Sequence, residues 1–256
     1  MRQGLLLRDS KTMFVRSLKL SFRHPSTIGL SLLMPATLLA VFVYVFGGAM
    51  DVGGYSVVDY IVPGIILLTI GQGAPSISVR LTNDVAKGVI DRFRTMPIAQ
   101  SSLLVGHVAA TVLQSIVTTA IAVLVSILVG FRSQAGLAGW LIVAGIVVLY
   151  IIMMMWLAVL IGMYAKTAEE ASGLMTLIGV LPFLSSGFVP TETMPPILRI
   201  FAENQPMTSI IDTVRSLLLN EPLPDRTLHT ALLWCVGLAI VFWVAALHMY
   251  KRKTTK

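Results

Sequence analysis

The sequence predicts an all-α integral membrane protein that crosses a bilayer six times. Three observations carry that reading: an apolar composition, six long uncharged runs, and an uneven sharing of basic residues between the loops those runs define. Hydrophobic residues make up 56% of the 256, charged residues 12%, and the mean hydropathy is +0.85; an average soluble domain carries about 25% charged residues. A helix needs roughly 20 apolar residues to cross a ~30 Å hydrocarbon core, because each backbone amide must find its partner internally where water is absent.

The runs are Ser26 to Gly48, Tyr60 to Val79, Ser101 to Gly130, Gly136 to Ala165, Ala171 to Val189 and Leu228 to Tyr250. The first exceeds the apolar region of about 7–15 residues found in a secretory leader, and no small-residue cleavage site follows it, so it is expected to be a retained anchor. The fifth is short, holds Pro182, and closes on Ser185, Ser186, Gly187, Phe188, Val189 and Pro190. Such a broken end is tolerated only inside protein or beside a water-filled cavity.

Six crossings place both termini on one side. That side receives 15 of the 19 Lys and Arg residues, among them Arg8, Lys11, Arg16, Arg80, Lys87, Arg92, Arg94, Lys166 and Lys251; the other receives Arg132, Arg199, Arg215 and Arg226. The positive-inside rule then expects cytoplasmic termini, and the net charge of +7 serves topology and anionic headgroups rather than nucleic acid.

Between the spans, three segments are organised. Residues 5–23 place Arg8, Lys11, Arg16, Lys19 and Arg23 opposite Phe14, Leu18 and Phe22 at helical spacing, which predicts an interfacial elbow helix, either an anchor or a mechanical element. In the connection 80–100, Asp84, Lys87, Asp91 and Arg94 form a charged stripe opposite Val85, Val89 and Phe93; Asn83 is expected to cap its start, and Pro97 to end it. In the external insertion 190–227, Met207, Ile210, Ile211, Val214, Leu217 and Leu218 recur at helical intervals behind Pro206. A helix results, with Asp212 and Arg215 on its polar side, packed against or dipping into the outer leaflet.

Catalytic chemistry is not legible. No acid, base or metal-ligand constellation recurs on one side; His107 and His248 stand alone, and Cys235, the single cysteine, permits neither an intramolecular disulfide nor a thiolate cluster. Each Lys-Thr pair lacks the glycine of a phosphate-binding loop. The spans lack the titratable groups that proton- or sodium-coupled carriers need.

The layout resembles the permease subunit of type 2 ABC exporters, in the daunorubicin-resistance branch. Two stretches carry the likeness: Asp84 to Gly106, with Lys87, Gly88, Asp91, Arg92, Phe93, Thr95 and Pro97, and Phe183 to Leu219, with Ser186, Gly187, Pro190, Gln205, Pro206, Asp212 and Arg215. Asp91 stands where relatives usually have Glu, and Gln205 where they have Asn.

The resemblance implies a pair of permeases, identical or sister chains, seated in the inner membrane of a prokaryote on separate ATPase subunits. ATP and Mg would belong to those subunits, with no cofactor in this chain. Asp84, Lys87, Gly88, Asp91, Arg92, Arg94 and Pro97 would dock in a groove of the ATPase. Lys166, Glu169 and Glu170 are either a second contact or a solvated turn. Met34, Phe42, Phe183, Ser185, Ser186 and Phe188 would line a path for a hydrophobic or amphiphilic drug, antibiotic or lipid, or serve helix packing; Pro190, Pro206, Asp212 and Arg215 would form the external gate. Two other functions compete: a permease for lipid-linked polysaccharide, and a structural or biogenesis factor with no transport cycle.

Overall fold

A computed structural model describes residues 35–50, 54–87, 100–222 and 225–255, together with Leu33 and Val52. The elbow 5–23, Met34, and Gly88, Asp91, Arg92, Arg94 and Pro97 lie outside the described residues. The described chain is helical: α1 (Pro35–Val45), α2 (Val57–Gly73), α3 (Pro75–Ala86), α4 (Gln100–Val129), α5 (Leu137–Tyr164), α6 (Ala168–Gly179), α7 (Pro196–Asn204), α8 (Pro206–Leu218) and α9 (Asp225–Thr255).

Helices α2 and α3 act as one rod. Ala74 between them keeps helical torsions (φ −66, ψ −36), and Pro75 falls at the first position of α3, where its missing N–H would be unpaired in any helix. The joined segment Val57–Ala86 has 30 residues, or about 45 Å at 1.5 Å per residue, well beyond a ~30 Å hydrocarbon core. Of its most apolar stretch 78% is buried, against 28% in Val108–Val129 and 17% in Arg226–Tyr250. The rod is therefore the centre of the bundle, while α4 and α9 present apolar flanks outward.

This continuity corrects the reading of 80–100. Asn83 does not cap a new helix, and Asp84 does not begin one; both sit in the last turn of α3, whose end is closed by the Lys87 N–H on the carbonyls of Asn83 and Val85. Polarity marks where a helix leaves the bilayer, and it does not mark where the helix stops.

Among the described residues, four helices are long and apolar enough to cross a membrane: Val57–Ala86, Val108–Val129, Leu137–Tyr164 and Arg226–Tyr250. Of the first predicted span only α1, ending in a π-helical turn at Val41–Val45, falls largely inside the described residues. The fifth predicted span, 171–189, is not one continuous helix. Its 12-residue α6 is about 18 Å long and gives way to a 3-10 turn, Leu181–Leu184, because Pro182 cannot donate to a helical ladder.

Glycines set the distance between this segment and the rod. A Cβ on Gly71 would sit 3.1 Å from the Gly179 Cα, and one on Gly64 would sit 2.7 Å from the Gly187 carbonyl oxygen. The backbone from α6 to Gly187 thus runs antiparallel to α2 in direct contact, a small-residue seam of the kind membrane helices use. Hydroxyls continue the seam toward Lys87: Ser78 Oγ donates to the Ala171 carbonyl (3.4 Å) and Thr82 Oγ1 to the Gly162 carbonyl (2.9 Å), joining α3 to α6 and α5.

On the other side, α5 packs along α9, with Trp156 and Trp243 edge to face at 6.5 Å between centroids. Helix α8 lies across α2, α5 and α9. Its apolar positions Met207, Ile210, Ile211, Val214 and Leu218 are buried in protein, and Tyr150 of α5 donates its hydroxyl to the Met207 sulfur at 3.2 Å. The loop 130–136 closes α8: Gln134 N and Ser133 Oγ both donate to the Leu218 carbonyl at 2.9 Å, one of the carbonyls a helix end leaves without a partner.

Candidate functional site

The expectation that Arg215 lies on the polar side of a surface helix is corrected by the structure. Its residue exposure is 8%. A guanidinium at that depth is tolerated only when it is paired and hydrogen-bonded, since an unpaired buried charge costs several kcal/mol. Nη1 donates to Asp212 Oδ1 at 2.8 Å, Nη2 to the Ser186 carbonyl, and Nε to the Tyr60 carbonyl at 3.2 Å. The Cζ atom lies 3.8 Å from the centroid of the Tyr60 ring, so the flat cation also stacks on an aromatic face.

Each contact has a local cause. Asp212 and Arg215 are three apart on α8 and share a face. Ser186 lies in the irregular turn after Leu181–Leu184, where its carbonyl is free of any helical ladder. Its hydroxyl donates to the same Asp212 Oδ1 at 2.6 Å. The turn reaches this position because Gly187 has no side chain: a Cβ there would meet Ile211 Cδ1 at 3.1 Å and the Gly64 Cα at 3.2 Å. One side chain therefore fastens α2, α8 and the broken end of the α6 segment together.

Beside this junction is a cavity of about 320 Å³. Tyr55, Tyr60, Glu192, Asp212, Arg215 and Glu221 are among the residues that line it, three carboxylates to one guanidinium. Burial pushes the Asp212 carboxyl above the usual carboxylate range, with Arg215 and Ser186 pulling the other way. A hydrogen bond with Glu221 raises the Tyr55 phenol. Pro190 lines the cavity and leads the 3-10 turn Thr191–Thr193, and Pro206 starts α8.

The residues predicted for the substrate path divide. Phe42, Phe183 and Phe188 are brought together, with Phe183 stacked on Phe188 at 4.6 Å and Phe42 tilted against it at 5.2 Å. Phe188 is 2% exposed, so in this conformation the rings fill space. The Ser185 hydroxyl is spent inside its own turn, donating to the Pro182 carbonyl and accepting from Gly187 N. Ser186 is the member that reaches the cavity.

At the far end of the rod, Asp84 is half-buried and Lys87 exposed. Lys166, Glu169 and Glu170 lie exposed at the α5 to α6 turn, on the same end, because α3 packs against both helices there. The turn is locked by Lys166 N on Glu170 Oε2 (2.9 Å) and by Glu170 N on Thr167 Oγ1 (3.2 Å), the second being the N-cap of α6.

The sequence reading missed Tyr60, Tyr55, Glu192 and Glu221. For the tyrosines a signal existed, two aromatic residues five positions apart at a span's end, where amphipathic rings collect. For Glu192 and Glu221 none did.

Together these features define a polytopic helical membrane protein with two differently built ends and no enzyme-like constellation among the described residues. The family model for ABC-2 type transporters matches residues 8–219, and the chain belongs to that family. It is 29% identical over 244 residues, 91% of this chain and 83% of the relative, to a daunorubicin resistance ABC transporter permease protein of Streptomyces coeruleorubidus. It is 23% identical over 205 residues, 80% of this chain and 72% of the relative, to a probable doxorubicin resistance ABC transporter permease protein of Mycobacterium tuberculosis. The chain is a type 2 ABC transporter permease, a multi-pass membrane subunit.

Proposed function

We propose that this permease is the membrane half of an ATP-driven exporter of hydrophobic or amphiphilic compounds. It crosses the inner membrane six times with cytoplasmic termini, pairs with a second permease, and sits on separate ATPase subunits that hold ATP and Mg. The observation that carries this reading is the rod Val57–Ala86, fastened to α5 and α6 near Lys87 and to Arg215 near Tyr60. A push on the segment that follows it, with Asp91, Arg92 and Arg94 in the ATPase groove, would move the rod as one body. The α6 segment would follow through the glycine seam, and the Arg215 junction at Tyr60 would feel the displacement about 40 Å away. Asp84, Lys87, Gly88, Pro97, Lys166, Glu169 and Glu170 complete the contact surface.

The names of the two relatives, both drug-resistance permeases, support the compound class. The test is uptake of a panel of fluorescent amphiphiles by inside-out vesicles holding the chain with its copurifying ATPase. ATP-dependent accumulation that is lost without the chain is the expected result. Accumulation no greater than in chain-free vesicles would refute the proposal.

A further inference from the structure

We infer that the cavity at the Tyr60 end is a binding site for an organic ammonium ion, with Glu192 and Glu221 accepting from its N–H groups and the Tyr55 and Tyr60 rings facing its carbon body. The volume of about 320 Å³ lies at the small end of the range of roughly 300–1,000 Å³ for ligand sites. It suits a compact amine, or the amine-bearing head of a longer amphiphile. Val52 and Pro190 add apolar wall, and the exposed Tyr55 and Glu192 leave the mouth open to solution.

The one guanidinium on this wall is already committed. Arg215 is paired with Asp212 at 2.8 Å and stacked on the Tyr60 ring, so those two charges offset each other. Glu192 and Glu221 are left over: among the described residues neither forms an ion pair. They come from separate elements, the 3-10 turn Thr191–Thr193 and the chain beyond α8, which the fold brings to one cavity. Their charge is felt by its other members. After burial, Glu192 adds to the upward push on the Asp212 carboxyl, and the hydrogen bond with Glu221 raises the Tyr55 phenol. The uncompensated field is negative, which concentrates cations and repels anions.

The cation that fits is organic. A metal ion needs its oxygen ligands converging within about 2–2.6 Å of one point, and among the described residues no group of three Asp, Glu, His or Cys side chains could hold one. Separated carboxylates match an ammonium group instead, whose three N–H bonds diverge, on a carbon body that can lie against aromatic faces. The wall already holds one cation in this manner, with Arg215 Cζ 3.8 Å from the Tyr60 centroid. The Tyr55 ring, 6.2 Å from that of Tyr60 and tilted by 39°, offers a second aromatic surface for the same contact.

The site lies at the end of the rod away from Lys87 and the proposed ATPase contact. Its role rests on the export reading: an amine-bearing compound would meet it last, before release. Its existence does not, and binding is measured without the ATPase.

The test is saturation-transfer NMR on the full chain, purified in a neutral detergent, with 2-phenylethylammonium, its neutral counterpart 2-phenylethanol and the anion 3-phenylpropionate. The ammonium ion should bind about tenfold or more tightly than the alcohol, and the anion more weakly than either. The double variant Glu192→Gln, Glu221→Gln should lose about tenfold for the ammonium ion and nothing for the alcohol. Tyr55→Leu should weaken binding severalfold, with Tyr55→Phe and Glu203→Gln close to native. Equal affinity of the native chain for ammonium and alcohol would overturn the inference, whatever the variants do. Native affinity in the double variant, or displacement of the amine by equimolar calcium, would also overturn it. Amine binding in a chain that fails to export would refute the proposed function and leave this site standing; export by a chain that binds no amine would do the reverse.

Discussion

The guanidinium of Arg215 holds Tyr60 twice: its carbon lies 3.8 Å from the ring centroid, and its Nε donates to the Tyr60 carbonyl at 3.2 Å. The two residues are 155 positions apart, on α8 and α2, so this contact ties the end of the central rod to the insertion between the last two membrane segments. Arg215→Ala would strand the Ser186 and Tyr60 carbonyls and leave Asp212 without its partner, at a cost of about 3 kcal/mol. Arg215→Lys should recover little of it, because an ammonium group cannot present the planar fork. Thermal unfolding followed by size-exclusion chromatography in detergent measures both.

Asp212 should behave differently. Its carboxyl is raised above the usual range by burial, so the folded chain binds that proton more tightly than the unfolded chain. Ionised Asp212 therefore opposes folding at neutral pH, and that opposition disappears as pH falls through the raised value toward the ordinary one. Asp212→Asn should change stability by less than about 1 kcal/mol at pH 7. It should also reduce any gain in melting temperature that the native chain shows as pH falls from 7 toward the ordinary carboxylate range.

The glycine seam allows a direct comparison. In Gly64→Ala the new methyl would fall 2.7 Å from the Gly187 carbonyl oxygen, a backbone atom that cannot swing away, and about 1–3 kcal/mol should be lost. Gly145 on α5 has nothing within 4 Å of its Cβ position. Gly145→Ala should be neutral or stabilising by up to about 1 kcal/mol. Equal losses in both variants would remove the seam from the account.

Thr82→Val removes the hydroxyl that reaches the Gly162 carbonyl and should cost only about 1 kcal/mol. If the rod transmits displacement, this variant hydrolyses ATP in complex at near the native rate while exporting less per ATP. A proportional fall in both activities would argue against transmission through this contact.

The spans α4, α5 and α9 were legible because a long uncharged run has few alternatives to a membrane helix. The helix at Pro206–Leu218 was legible from the spacing of Met207, Ile210, Ile211, Val214 and Leu218. The end of α3 was not, because Arg80 and Asn83 signal departure from hydrocarbon, and backbone hydrogen bonding continues past them.

Arg215 was misplaced for a related reason. A helical wheel assigns a charged residue to solvent, and it cannot register that Ser186 and Tyr60, distant in sequence, present carbonyls to that face. Helix α7 has nine residues, too few for its periodicity to stand out from a proline-rich loop.

The proposed coupling of this permease to a separate ATPase runs through the charged segment beyond α3. It is tested most directly by purifying the tagged chain from its own membrane in mild detergent and identifying its partners by mass spectrometry. The native chain should bring down an ATPase bearing a phosphate-binding loop, and a chain with Asp91→Lys and Arg94→Glu should lose it while staying folded. Absence of any such ATPase from the native chain across several detergents would contradict the account.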